Sequence, residues 1–186
     1  MDCLSKEHFF RKLPPAKRAK DAIFIMRGLP GCGKSGMVKA IHDHYYPICY
    51  IGDKFFPIKV ASADDFFMVN GEYKYDRSKI GQAHDWCFQK FLDYLKIKPG
   101  PYFVDNTNTS IKEIDRYVSI SKSYSGYVYL ITLDIDVKTS IKRNVHKVPE
   151  KTIEAMYSRI VDADVDNKLT YYVDKQKIKH LRLVTM

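Results

Sequence analysis

An α/β fold, with a parallel central sheet of four or five strands in a three-layer sandwich, is what this sequence predicts. Three observations carry that reading. Short apolar runs recur along the 186 residues, stretches with helical apolar spacing alternate with them, and each early run is followed by a polar loop rich in glycine, acids or amides. Strands that alternate with helices specify parallel pairing, right-handed crossovers and helices on both faces. Ligands in such sheets gather beyond the strands' carboxyl ends.

The first run, Ala22-Ile23-Phe24-Ile25-Met26, has the unbroken apolar character of a strand buried on both faces. A helix from Ser35 to Tyr46 follows, with Met37, Val38 and Ile41 on one face. His42 and His44 fall on its expected surface. Ile58 to Ala61 reads as the second strand, with an insertion or hairpin before it. A long helix is expected from Ser78 to Ile97, turning Ile80, Trp86, Phe88, Phe91, Leu92 and Leu95 inward until "KPGP" breaks it. Tyr102 to Val104 is the third strand, and Thr109 or Ser110 caps the next helix with Glu113 in its first turn. "GYVYLITLD", residues 126 to 134, is the fourth strand. Helices from Val137 to Asn144 and from Glu150 to Val161 come next, and residues 178 to 185 read as a last strand.

Lysine and arginine total 31 against 22 acids, a formal charge of +9, which favours an anionic partner and accelerates encounter with nucleic acid. No apolar run reaches the length of a membrane span, and "MDCLSKEHFF" carries charges where a signal peptide needs its apolar region. The expected location is therefore intracellular, cytoplasmic or nuclear, without a membrane partner. Cys3, Cys32, Cys49 and Cys87 lack metal-ligand or disulfide-framework spacing, so free thiols are expected. "RKLPPAKRAK" concentrates five basic residues around a Pro-Pro pair. Residues 1–20 accordingly read as an extended basic arm, a solvated tail or a nucleic-acid contact, preceding one domain over 21–186.

Chemistry concentrates at the loops. "MRGLPGCGKSG" places Gly28, Gly33, Lys34 and Ser35 in the spacing GxxxxGKS between a strand and a helix, the context in which such a loop cradles phosphates. Glycines let main-chain N–H groups of the stretch Gly28, Leu29, Pro30, Gly31, Cys32 and Gly33 converge on phosphate oxygens, and a helix N-terminus favours an anion. Lys34 would reach the β- and γ-phosphates of ATP or GTP, and the Ser35 hydroxyl would ligate Mg²⁺. Gly36, in the first helical turn, departs from the second hydroxyl common at that position. The expected fold is thereby narrowed to the P-loop NTPase sandwich with a helical lid.

"ASADDFF" sets two carboxylates after the second strand. Asp64 suits the base that takes a proton from an acceptor hydroxyl, although Asp64 or Ser62 would serve equally as a helix N-cap. Asp65 reads as structural, orienting the base or a ligand. "YFVDNTN" ends a buried strand on Asp105, which suits the Mg²⁺ side of the site, with Asn106, Thr107 and Asn108 offering neutral hydrogen bonds; a plain polar turn accounts for the same residues. In residues 140 to 150, Arg143, then Lys147, are the cations that a closing lid would bring to the transferring phosphoryl, with Lys142 and His146 beside them. Tyr73 and Tyr75, with Lys74 and Arg77, form either a base-stacking segment or a loop anchored in the core.

These motifs together resemble the polynucleotide 5′-kinase family of P-loop kinases, phage end-healing kinases included, and the kinase-like half of myelin cyclic-nucleotide phosphodiesterase. The likeness runs from about Ile23 to Ile160, through "GLPGCGKS", "SADDFF", "EYKY", "VDNTN" and "IKRNVHKVPEKTIEAMYSRI" in that order. It implies Lys34 and Ser35 on phosphates and metal, Asp64 as base for a 5′-hydroxyl of RNA or DNA, Asn106 and Thr107 near the acceptor, and Arg143 and Lys147 as lid cations. Where some phage members place an arginine for a 3′-phosphate this chain has Phe67, an aromatic surface for a base, and its second lid cation is lysine, without arginine's bidentate reach. A small-molecule kinase of the zeta-toxin or antibiotic-kinase sort, and a P-loop binding module without turnover, remain the alternatives.

Overall fold

The computed structural model describes residues 5–45, 50–51, 54–55, 58–97, 100–162, 167–171, 173 and 178–185. Five parallel strands, β1 (Ala22–Gly28), β4 (Lys59–Ala61), β7 (Tyr102–Val104), β8 (Tyr127–Asp134) and β9 (Ile178–Val184), form the sheet in the order β4-β7-β1-β8-β9. Two short antiparallel ladders stand apart from it: β2 (Tyr50–Ile51) with β3 (Lys54–Phe55), and β5 (Met68–Val69) with β6 (Glu72–Tyr73). The first is the hairpin expected before the second strand. Because β1 lies between β7 and β8, the chain order reverses beside it, and the crevice at that switch point opens at the end of β1.

β1 shows why the middle strand must be apolar throughout. Phe24 and Met26 join one core, with α3 (Lys34–Tyr45) and α7 (Glu150–Ile160), while Ile23 and Ile25 join the other, with α4 (Ile80–Lys96) and α5 (Ile111–Val118). Successive side chains of a strand point to opposite faces, and both faces here are covered. Phe24 pairs in register with Phe103 and Tyr129 and stacks on both, at 5.0 and 5.5 Å between ring centres. Ser110 caps α5 in a reciprocal box with Glu113, and Asp136 caps α6 (Val137–Lys142) through Thr139 N–H.

Three expectations are corrected. Residues 11–20 are not an extended arm: α1 (Lys6–Lys12) and α2 (Ala16–Ala19) fold there, Phe9 is fully buried, and the Tyr45 hydroxyl donates to Pro14 O at 2.8 Å. Apolar residues hidden among the lysines anchor the segment. Trp86 does not face the core, since the buried stripe of α4 is Ala83, Cys87 and Phe91, and Trp86 and Ile80 lie on its flanks, 40% and 38% exposed. Small residues let that stripe approach the sheet, which periodicity weighted by size does not see. His42 is mostly covered, its side chain 13% exposed, unlike exposed His44. Cys32 and Cys87 are free thiols; Cys3 and Cys49 lie outside the described residues.

Candidate active site

The loop between β1 and α3 has the shape its glycines allow. Gly31 and Gly33 adopt φ of +73° and +93°, a region that side chains disfavour. At Gly31 a Cβ would also lie 2.9 Å from the Arg143 backbone, so the loop and the lid pack main chain to main chain. Ser140, buried in α6, donates to Pro30 O at 2.7 Å and holds the base of the lid to the loop. Leu29 and Cys32 are buried, leaving their backbone to the site. Burial raises the Cys32 pKa, keeping the thiol protonated. Lys34 opens α3, and its Nζ donates to Leu29 O at 2.8 Å and Gly28 O at 3.2 Å. Gly36 follows in the first turn, and a Cβ there would meet nothing within 4 Å.

Beside this loop the Ser35 hydroxyl donates to Asp105 Oδ2 at 2.6 Å. Asp105 follows β7, and burial raises its pKa despite the Ser35 hydrogen bond and the Lys34 charge. A hydroxyl and a carboxylate converging next to Lys34 are hard oxygen donors of the kind Mg²⁺ takes alongside phosphates and water. Gly28 N–H donates to Thr107 O at 2.9 Å, tying the two loops together.

Asp64 begins a 3-10 helix, Asp64–Phe67, with Ser62 and Ala63 between it and the end of β4. Ser62 supplies the local turn by accepting from Asp64 N–H at 3.3 Å, so the Asp64 carboxylate is left facing outward, 55% exposed. Tyr73 donates its hydroxyl to Oδ1 at 3.1 Å, and His146 of the lid places Nε2 3.9 Å from Oδ2. The imidazole also tilts against the Tyr73 ring at 4.8 Å. Burial and the Asp64 charge raise the Tyr73 pKa, which keeps that hydroxyl a donor. Lid geometry comes from Asn144, whose side chain donates to Val148 O at 2.7 Å and accepts from Val148 N–H at 3.1 Å. Arg143 and Lys147, at the two ends of this loop, are exposed, and Lys147 adopts φ of +53°.

Other expected acceptor residues lie elsewhere. Phe67 is buried, 3% exposed, with Tyr75 and Tyr73 at 5.1 and 6.2 Å, so it presents no stacking surface. Asn106 is buried too: its carbonyl accepts from Ala63 N–H at 2.9 Å, and its amide donates to Cys87 Sγ and Tyr117 OH. Its side chain is committed to the turn before Asp64. Asn108, also buried, donates to Met26 O at 2.7 Å. These corrections share a reason, since a polar or aromatic residue in a loop motif looks the same in sequence whether it faces the cleft or closes the layer beneath. Asp65 takes Lys90 of α4 at 2.7 Å. On the opposite flank an open cleft of about 450 Å³, lined by Leu29, Ile135, Tyr157, Val161, Val184 and Thr185 among others, adjoins the loop. Sequence reading missed it because its walls come from β8, α7 and β9, which share no local motif.

No family model matches the chain. Human NEDD4-binding protein 2 is 29% identical over 151 residues, 77% of this chain but 8% of that protein. Mouse 2′,3′-cyclic-nucleotide 3′-phosphodiesterase is 24% identical over 129 residues, 69% of this chain and 27% of the relative. The chain thus spans only a small part of the curated relatives it matches. Among solved structures, a gluconokinase from Sinorhizobium meliloti 1021 superposes with a TM-score of 0.53 at 10% identity, covering 89% of this chain and 83% of its own. The AvrRxo1-ORF1:-ORF2 structure with ATP gives 0.55 at 13% identity over 86% and 53%. The fold is that of the P-loop kinases. Among the described residues no helix is long and apolar enough to cross a membrane.

Proposed function

We propose that the protein is a polynucleotide kinase that transfers the γ-phosphoryl group of ATP or GTP to the 5′-hydroxyl end of RNA or DNA, in nucleic-acid end healing or repair. One observation carries the reading: an outward carboxylate, Asp64, stands at the end of β4, held by Tyr73 and faced by the lid, on the same side of the sheet as the phosphate loop. The relative named for cyclic nucleotides and the +9 charge support a nucleotide-bearing acceptor. The open cleft beside Leu29 and Tyr157 offers apolar walls to the triphosphate's base.

In the reaction Asp64 accepts the proton of the acceptor hydroxyl, the oxygen forms a bond to the γ-phosphorus, and the bond to the β–γ bridging oxygen breaks, releasing the nucleoside diphosphate. The loop amides and Lys34 hold the phosphates, while Arg143 and Lys147 face the transferring group from the lid. Ser35 and Asp105 would hold Mg²⁺, whose charge offsets that of the phosphates. Tyr73 keeps the Asp64 carboxylate oriented.

Incubation with γ-labelled ATP or GTP and 5′-hydroxyl RNA and DNA oligomers is expected to label the oligomer end, with at least a ~100-fold loss in Asp64→Asn. Equal labelling by both proteins removes Asp64 as the base. Labelling of a sugar, nucleotide sugar or antibiotic with none on any oligomer assigns a small-molecule kinase, and nucleotide binding with no transfer assigns a binding module.

A further inference from the structure

Of the eleven large apolar side chains exposed among the described residues, five, Met68, Val69, Tyr75, Ile80 and Trp86, are 38–54% exposed and fall between the base-bearing turn and the first half of α4. Phe66, two residues after Asp64, meets the Trp86 ring edge-on at 6.1 Å. One turn further along α4, Lys90 sets its ammonium 5.1 Å from the centre of the Trp86 ring and bonds Asp65 at 2.7 Å. Asp65 and Phe66 thus join an aromatic wall directly to the proposed base. Phe66 is partly buried against the core, whereas Trp86 lies outside the buried stripe of Ala83, Cys87 and Phe91 and leaves 40% of its surface open.

We propose that the wall is the docking surface of the acceptor strand: a single-stranded polynucleotide with its 5′-hydroxyl at Asp64 runs on over Phe66 and Trp86, its bases stacked on the two rings and a phosphate beside Lys90. The inference rests on the polynucleotide reading of the site. Three features favour a nucleic acid over a protein here. The rings are continuous with the acceptor end of the cleft, so any polymer longer than its reacting unit must leave along some wall next to Asp64. A cation over an aromatic ring suits a stacked base joined to a phosphate, and stacking accepts every base. The +9 chain attracts a polyanion before contact.

Trp86 is the single tryptophan of the chain, so its emission reports on this surface alone. The full chain is titrated with a 5′-hydroxyl decanucleotide, with a 5′-hydroxyl dinucleotide and with nucleoside triphosphate. Saturable quenching by the decanucleotide and none by the other two is expected. Trp86→Ala is expected to raise the decanucleotide KM by about tenfold, the scale of one lost base stack, while the dinucleotide KM and kcat stay unchanged. Phe66→Leu keeps an apolar side chain under Trp86 and is expected to weaken quenching in the same direction. If the decanucleotide is phosphorylated while emission and the Trp86→Ala KM do not move, the strand leaves by another route and the proposal falls. An emission shift that follows protein concentration alone assigns the wall to a second copy and also overturns it. Quenching without transfer to any oligomer upholds the surface and rejects the proposed reaction; neither quenching nor transfer rejects both.

Discussion

Between Gly28 and Ser35 the proposed nucleotide side of the cleft is built from consecutive residues, whereas the proposed acceptor side draws Asp64, Tyr73, Asn106 and His146 from four separate segments. The first side presents main-chain groups whose directions are set by local φ values, as at Gly31 and Gly33. The second works through side chains whose directions are set by contacts across the fold, such as Asn106 with Ala63 or His146 with Tyr73. A contiguous loop carries its geometry wherever it is placed. A composite wall depends on every element that reaches it.

Substitutions on the two sides therefore separate by what else they disturb. Lys34→Ala is expected to have the largest effect, about a thousandfold loss of transfer, with a small change in thermal midpoint, because among the described residues Lys34 Nζ hydrogen-bonds within its own loop, Cys32 included, and reaches beyond it through its charge on Asp105. A large drop in stability would mean that the loop is not self-contained. Single-turnover transfer and calorimetry on one preparation give both readings.

Asp105→Asn comes next, with about a hundredfold loss and a stability change of the opposite sign. Burial holds the Asp105 pKa above its ordinary value, so the folded protein binds that proton more tightly than the unfolded chain. Stability therefore declines as pH rises from the ordinary carboxylate range through the raised value, and the cost is complete only above it. The uncharged amide removes it, and the thermal midpoint is expected to rise by a few degrees at the high end of that range and to differ least at its acid end. A lowered midpoint would show that the Ser35 hydrogen bond outweighs burial.

Asn106→Ala tests the composite side. It leaves the buried Ala63 N–H without its acceptor, at a cost of about 1–3 kcal/mol in unfolding free energy, and tilts the Asp64 turn. Denaturant unfolding is expected to register that loss, and the acceptor step is expected to slow by about tenfold at unchanged nucleotide affinity. Equal weakening of nucleotide binding would break the division between the two sides. The smallest effect belongs to His146→Ala, about threefold to fivefold on transfer, the scale of one exposed polar contact. His146→Gln, which keeps a polar nitrogen on a side chain of similar reach, is expected to recover most of it, as read by initial rates at saturating triphosphate.

The legible and illegible parts of the chain divide along the same line. The alternation of strands and helices, the phosphate loop, the Ser110 and Glu113 cap and the acids ending β4 and β7 follow from neighbours in sequence, and the structure places them within a residue or two of expectation. The inward turn of Phe67, Asn106 and Asn108, the outward turn of Trp86 and the anchoring of α1 by Phe9 were not legible. Each depends on which face of an element meets its partner layer, and residue type near a loop carries no information about that.

By itself, then, the order of residues determined the parallel sheet and the glycine loop between β1 and α3, because hydrophobic period and glycine conformation act over a few consecutive bonds. Only tertiary packing decided which carboxylate stands in the open, which amide shapes its turn, and that a histidine from the lid meets it. Those choices are made by layers closing on one another, where the burial of one side chain sets the exposure of the next.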